Sequence, residues 1–584
     1  MNRPMLHRFP LYLVAASLLF LAGASVAPVP SAAATRLTRA GAVEPDWELG
    51  AARGDQDEIS PPLTAAQVTR AIELAASVRP RLYDLRVTTG TPFAGDRKLL
   101  ATVSPNGDGL RDQAVVHFRL ADPATVTLNV MVCRKYPKTV LTSQTSFGAG
   151  SHELVWAPPA STIPQTYRLL LSVGNGAGQP VHGCGDHRLL PWLPPAPVVR
   201  VMGIDAGFAQ STYSPDAMAR LHIATDVPSF TLQFFQAGPE TQPTRGLAME
   251  GVAVSQPSQV DWSAHRNAPG TLSVHLGDWP NGIYFARLTA PDGQSYYAPF
   301  IIRPRTFGAH RIAVVLHTYT WQAYNHYDVN GDGWGDTWYA ANDIHTVDLS
   351  RAYVQGGAPP KWRMYDVPFL HWLYQTGKQV DFISDDDLER FSSAKALANL
   401  YDLIVFPFHE EYVTTHMYDL ISGYRDLGGN MMFLSSTNLL WKIELHGHLI
   451  TRVAEWRWLG RPESSVLGVQ YRANDEGKHR GAYQLTPYGQ ESWQMAGVDD
   501  TALAKWPWLG IEYDMTTTVS PADTELLAEV DPHLPDPAIR GDMTYYEQGG
   551  AKVFSAGTLN LTSALGYAPF QRLLQNLWQQ LATP

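Results

Sequence analysis

Two rhythms of apolar and polar positions divide this chain. From residue 96 to 303, short apolar stretches recur between turn clusters: Ala114–Leu120, Val126–Val132 and Tyr167–Val173, then Ala219–Ile223, Thr231–Phe235 and Ile283–Leu288. The last runs into Ala290-Pro-Asp-Gly293, a hairpin turn by composition. This pattern predicts two β-sandwich modules, 96–195 and 198–303, joined by the stiff run Pro191-Trp-Leu-Pro-Pro-Ala-Pro197. From His310 the rhythm changes. Near-continuous apolar strands at Arg311–His317, Val380–Ser384, Tyr401–Phe408, Asn430–Ser435 and Ala551–Ala556 alternate with segments of helical period. Val367–Thr376 stops at Gly377, and Thr415–Leu427 stops at Gly428-Gly429. Such alternation predicts a doubly wound α/β domain over 308–582, with ligands gathering beyond the carboxyl ends of its strands.

Ahead of these modules, Arg3 and Arg8 precede an apolar run from Leu11 to Val26 and a small-residue stretch ending at Ala34, the three-part layout of a secretory signal. Residues 1–34 are therefore expected to be a signal peptide and the product to be exported, periplasmic or extracellular. Residues 35–95, polar and proline-interrupted with one helix at Thr64–Ser77, read as a leader or linker. No later stretch is apolar enough for a transmembrane segment. The net charge of −11, with no cluster of Lys and Arg, argues against a nucleic-acid partner. Cys133 and Cys184 fall in one β module, and an oxidising compartment would let them pair. The opening of that module, Ser104-Pro-Asn-Gly-Asp-Gly-Leu-Arg-Asp112, resembles a loop of flagellar-hook-cap-type immunoglobulin-like modules, so both sandwiches are expected to be immunoglobulin-like.

Polar clusters sit where the strands of the third domain end. The first strand is followed by Thr318-Tyr-Thr-Trp-Gln-Ala-Tyr-Asn325, the second by Asp385-Asp386-Asp387, the third by His409-Glu410-Glu411-Tyr412 and the fourth by Ser435-Ser436-Thr437-Asn438. Converging oxygen donors, a histidine and amides on one sheet edge have the layout of an active site. Asp385–Asp387 also suits the cap of the next helix. The sharpest local motif is Asp328-Val-Asn-Gly-Asp-Gly-Trp-Gly-Asp336. Asp328, Asn330, Asp332 and Asp336, with Gly333 at the turn, match the first nine positions of a calcium loop, but position twelve is Tyr339 instead of glutamate. It is either a partial calcium site or a polar turn without metal.

The runs Thr320-Trp-Gln-Ala-Tyr-Asn325, Pro368-Phe-Leu-His-Trp-Leu373, Val380-Asp-Phe-Ile-Ser-Asp-Asp-Asp-Leu388, His409-Glu-Glu-Tyr412 and Leu427-Gly-Gly-Asn-Met-Met-Phe-Leu434 together resemble the large (beta) subunit of N,N-dimethylformamidase, best over 308–444. The resemblance implies a flavodoxin/class I glutamine amidotransferase-like α/β domain that hydrolyses a small amide at a mononuclear iron (Fe3+) held by two tyrosines and a glutamate. Phenolate and carboxylate are hard anionic donors suited to that ion, which would polarise the amide and activate water. Carried onto this chain, the ligands are Tyr324, Tyr339 and Glu411, with His409 as acid/base, Thr320 beside the metal and Asn438 as a further site residue. Tyr365 or Tyr319 could replace Tyr339, Thr437 could stand in for Asn438, and Phe408 could narrow the pocket. The implied partners are a small-molecule amide and either a further copy of the chain, in a homo-oligomer, or a small partner subunit.

Two other functions fit the same residues. One is a non-catalytic, calcium-stabilised envelope or extracellular binding protein on this scaffold, marked by calcium without iron. The other is a carbohydrate-active enzyme, drawing on the 17 Trp residues and the strand-end acids, which needs paired carboxylates across an open cleft. Residues 445–545, including Trp456, Trp458 and Glu463, fit none of these patterns.

Overall fold

The computed structural model describes residues 82–134, 137–174, 195–240, 248–340, 344–530, 534–536 and 538–582. The signal and the helix expected at Thr64–Ser77 lie outside the described residues, as do Cys184 and most of the proline linker. The chain is multidomain and mostly β, with several sheets and few helices.

In the first module a three-stranded sheet, Leu82–Thr88, Ala114–Leu120 and Gly150–Trp156, lies over a five-stranded one. Alternation along each strand turns one face inward, so Val87, Val116, Phe118, Leu128, Val130, Leu169 and Val199 form one core between them. Both boundaries differ from the apolar rhythm. Leu82–Thr88, within the stretch read as leader, pairs antiparallel with Ala114–Leu120 and buries Leu82, Leu85 and Val87. Val198–Val201, read as the start of the second module, instead pairs with Leu100–Val103 and Gln165–Val173 of the first. These strands give a weak periodic signal, and long-range pairing decides where they go. Cys133 is disulfide-bonded.

The second module places Asp205–Phe208, Met218–Ala224 and Gly270–His275 against a larger sheet built on Ser229–Gln236, Gly282–Thr289 and Ser295–Ile302. The Ala290–Gly293 turn closes the hairpin, with Gly293 at φ +88° and its N–H donated to the Ala290 carbonyl. Its residues Phe235, Ile283, Phe285 and Ile301 merge into the core of the third domain.

That domain is an eight-stranded sheet. Asp381–Ser384, Ile312–Leu316, Leu403–Phe406, Asn430–Phe433 and Ala551–Ser555 run parallel, in that order, and Gly541–Gln548, Glu525–Val530 and Tyr483–Leu485 extend it antiparallel. The strands are buried on both faces. Val314, Leu403, Val405 and Met432 meet the helices Trp362–Gln375 and Ala568–Leu581, while Ala313, Val315, Ile404 and Met431 meet Thr415–Asp426. In register, Leu316 stands opposite Ser384, and Phe433 opposite both Phe406 and Ser555. The carboxyl ends therefore form one line, and the polar loops leave the sheet together. No described helix is long and apolar enough to cross a membrane.

Candidate functional site

The first strand ends at Leu316, and the chain turns at once into the buried helix Thr318–Ala323. Its own N-cap, His317, makes no side-chain cap bond. Asp385, from the neighbouring strand end, does that work: its Oδ2 accepts the Tyr319 N–H at 2.6 Å and the Thr318 hydroxyl at 3.1 Å. Asp387 and Ser384 form a capping box on the next helix, as the acidic run suggested. Helix Thr318–Ala323 ends at Tyr324, whose phenol points at the third strand's loop.

There the oxygens converge. Tyr324 donates to Glu411 Oε2 at 2.9 Å; Tyr339 donates to Oε1 at 3.2 Å and to Oε2 at 3.4 Å. The two rings stack with centroids 4.3 Å apart. Tyr412 closes the cluster, its hydroxyl in contact with that of Tyr339 and its ring against Trp338. The Glu411 N–H donates to the Thr320 hydroxyl at 3.4 Å. His409 Nε2 stands 3.9 Å from Glu411 Oε2, and its Nδ1 stands 3.6 Å from Glu512 Oε2, which also accepts from the Thr437 hydroxyl at 2.5 Å. Thr320, Tyr324, His409, Phe408, Lys361 and Glu512 line a cavity of about 20 Å³, room for one water-sized occupant.

Burial makes these groups reluctant to ionise. It pushes the phenols of Tyr324, Tyr339 and Tyr412 well above their ordinary range, and the Glu411 charge pushes them further. Burial also raises the Glu411 carboxyl, against the opposing pull of His409. Glu512 behaves differently: burial pushes it up, but His409, Thr437 and Lys361 outweigh that and hold it below the usual carboxylate range. Lys361 is itself lowered by burial. Two phenols and a carboxyl meet here within hydrogen-bond reach, beside the His409 ring, as a set of hard oxygen donors. They fit a ferric ion, which would reverse the phenol shifts.

The expected site residues are thus partly assembled. Tyr324, Tyr339, Glu411, His409 and Thr320 come together. Tyr319 donates to Asp386 at 2.9 Å, and Tyr365 stacks on Phe408 at 4.4 Å, so neither competes with Tyr339 for Glu411. Asn438 faces the backbone instead: its Oδ1 accepts the Glu410 N–H at 2.8 Å, and its Nδ2 donates to the Ser435 and Ser436 carbonyls. It ties two loops together across a turn where Thr437 and Leu439 both have positive φ. Asp328, Asn330, Asp332 and Asp336 spend their oxygens on the amides of their own loop. Asp328 accepts from Gly331 at 2.6 Å and Gly333 at 2.8 Å, Asn330 from Asp332, Asp332 from Trp334, and Asp336 from Val329. Among the described residues no group of three or more His, Cys, Asp and Glu side chains is placed to hold a metal.

Sequence reasoning missed Tyr412, Lys361 and Glu512. Tyr412 could have been suspected from its place beside Glu411. Lys361 precedes a helix in left-handed conformation, φ +60°, and nothing in its neighbours signals that. Glu512 comes from the unassigned stretch 445–545, on strand Glu512–Met515 paired with Gln470–Asn474. Of the residues singled out there, Trp456 is buried against Tyr418, Trp458 is 76% exposed, and Glu463 is paired with Arg457 at 2.7 Å. A larger cavity of about 300 Å³ lies between the second module and helix Thr318–Ala323, but none of the converging donors lines it.

A mostly β, multidomain protein whose parallel-sheet loops gather phenols around one buried carboxyl is the class these observations define. The chain belongs to the family described as N,N-dimethylformamidase beta subunit-like, C-terminal, which it matches over residues 241–572. No curated protein matches it. Among solved structures, the Yersinia pseudotuberculosis adhesin InvE is similar at 14% identity over 38% of this chain, with a TM-score of 0.15. This chain spans 59% of the adhesin's length. The native E. coli alpha-2-macroglobulin is similar at 12% identity over 39% of this chain and 16% of its own, with a TM-score of 0.21. Methylamine-reacted Salmonella alpha-2-macroglobulin is similar at 12% identity over 38% and 17%, with a TM-score of 0.20.

Proposed function

We propose that the chain is an exported hydrolase of a small amide or related C–N bond, with a mononuclear ferric iron held by Tyr324, Tyr339 and Glu411. The observation that carries this reading is the meeting of two phenols from one loop system with a buried carboxyl from another, at 2.9–3.4 Å. The family supports the reaction class. On this reading the two N-terminal modules are immunoglobulin-like, the third domain is flavodoxin-like, and residues 1–34 direct export to the periplasm or medium. The beta-subunit family name favours a partner chain or a further copy of this one.

When bound, the iron supplies a Lewis acid that polarises the amide carbonyl and lowers the pKa of water. The protein's own groups do the rest. His409 lies between Glu411 and Glu512, placed to take a proton from the attacking water at Nε2 with the Glu512 carboxylate 3.6 Å from Nδ1 on the other side of the ring. As the C–O bond forms and the C–N bond breaks, His409 returns that proton to the amine nitrogen, and the products are a carboxylic acid and an amine. Phe408 and Trp321 wall the cavity and limit water beside the reacting carbon. The loop 328–336 serves as a strut in this reading.

Elemental analysis of chelator-washed protein tests it. One iron per chain with a visible tyrosinate charge-transfer band is the expected result, and Glu411→Ala should lose both while staying folded. Stoichiometric iron retained by that variant would refute the ligand set; calcium without iron in the wild type would favour a binding protein on the same scaffold.

A further inference from the structure

The residues that carry Tyr339 are gripped from outside the family-matched region. Loop 328–336 precedes Tyr339 by a few residues, and its outer side rests on the first β module, which ends well before residue 241. Arg97 of that module donates from Nη2 to the Asn330 carbonyl at 2.8 Å and the Gly331 carbonyl at 3.1 Å. Arg200 reaches the Asp328 carbonyl at 3.5 Å. The approach leaves no room for side chains: a Cβ on Gly331, at φ +68°, would sit 2.4 Å from Leu100 Cδ2, and one on Gly333, at φ +89°, 2.3 Å from Arg168 Cγ. Trp334 is the anchor. Its ring lies under the Arg168 guanidinium at 5.9 Å, its backbone bridges to Cys133, and with Cys133 and Ala340 it forms a small buried cluster of its own.

The inner side of the same loop is tied to the site. Its acids accept from its own amides, which brace the loop internally. Arg351 donates to the Asp336 carbonyl at 2.6 Å, and the Thr337 hydroxyl bonds the Ala323 carbonyl, next to Tyr324. Ala340, in the Trp334 cluster, is the residue after Tyr339. A displacement of Trp334 is therefore passed to both phenols.

We infer that Trp334 and Arg97 are positioning residues, and that the first β module acts as a clamp that sets the place of Tyr339 opposite Glu411. The inference rests on the ligand set proposed above, yet it has a metal-independent consequence. In full-length apo protein, Trp334→Leu should speed amide hydrogen exchange over 335–340 about tenfold while 312–316 and 430–433 keep their protection. Arg97→Ala, which removes only a surface grip, should act in the same direction more weakly, and Arg97→Lys should restore the wild-type rate. After loading with a ferrous salt in air, Trp334→Leu should lose iron to a chelator about tenfold faster, with a shifted charge-transfer band, as expected when support of a ligand is lost. Unchanged exchange over 335–340 in Trp334→Leu overturns the clamp, and so does unchanged iron release with an unchanged band. If the wild type takes up no iron, the ligand set fails, and the exchange measurement still decides the clamp.

Discussion

Asn438 and its neighbour Thr437 show how adjacent side chains divide support and chemistry. Asn438 spends its amide on the Glu410 N–H and on the Ser435 and Ser436 carbonyls, so Asn438→Ala removes three buried hydrogen bonds. At about 1 kcal/mol each, the variant should lose about 2–3 kcal/mol of stability, read from denaturant midpoints. Thr437→Val leaves those bonds intact and removes the hydroxyl that holds Glu512, the partner of His409. It too should lose about 1–3 kcal/mol, because the buried Glu512 is left without that donor, but here alone kcat should fall about tenfold with KM nearly constant, the mark of a group that acts on the transition state. The reverse pattern would exchange the two roles. The meeting of Tyr324, Tyr339, Glu411 and His409 was suggested by the family resemblance; local pattern alone placed only polar clusters at the strand ends and did not single these residues out. Asn438 has donors and acceptors that suit a site as well as a strut, and here its partners are backbone groups of two loops. Glu512 was illegible: several helices and strands separate it from His409, and no local spacing links the two.

At the scale of elements, the buried helix Thr318–Ala323 has six residues and no cap of its own, too short to stand without help. Asp385 supplies the cap from the next strand, accepting from the Tyr319 N–H and the Thr318 hydroxyl. Asp385→Ala should therefore cost about 1–2 kcal/mol and, by loosening the helix that ends at Tyr324, weaken iron retention. Asp385→Asn keeps a carbonyl acceptor and should recover most of both, since burial already pushes the Asp385 carboxyl upward toward its neutral form. Equal loss in the two variants would mean that charge, and not capping, is what the helix needs. The acidic run Asp385–Asp387 announced a cap, and the capping box of Asp387 with Ser384 answers to it. That Asp385 caps a different helix was not legible, because it depends on the register that sets Ser384 beside Leu316. The parallel strands, though only four or five residues each, were the clearest part of the sequence, since burial on both faces demands unbroken apolar runs. The strands Leu82–Thr88 and Val198–Val201 were placed by distant pairing and carried too little pattern to assign.

For the whole molecule, burial of acids makes stability depend on pH in a direction opposite to that expected of the proposed iron site. Burial pushes Asp328 and Glu463 up to about 7, and Asp205 and Asp542 up to about 6. The folded chain thus keeps protons that an unfolded chain has already released near pH 4, so this contribution is fully present below that pH and is lost as pH rises through 6–7. Two buried histidines oppose it at lower pH. His317 and His326 are pushed below 6.5 by burial, so the unfolded chain binds protons that the folded chain refuses, and their contribution grows until about pH 6.5 and then stops. The window from about pH 6.5 to 8 isolates the acids, and there the apo protein should lose several degrees of melting temperature. Iron runs the other way. On the proposed ligand set the phenols of Tyr324 and Tyr339, raised by burial and by Glu411, would have to give up their protons to the metal, so retention should strengthen with pH. Thermal scans of apo and iron-loaded protein across this window should therefore diverge, with the stabilisation by iron largest at the alkaline end. An apo protein that grows more stable from pH 6.5 to 8 would mean that the buried acids are ionised in the fold. A gap that narrows with pH would mean that the phenols are not ligands.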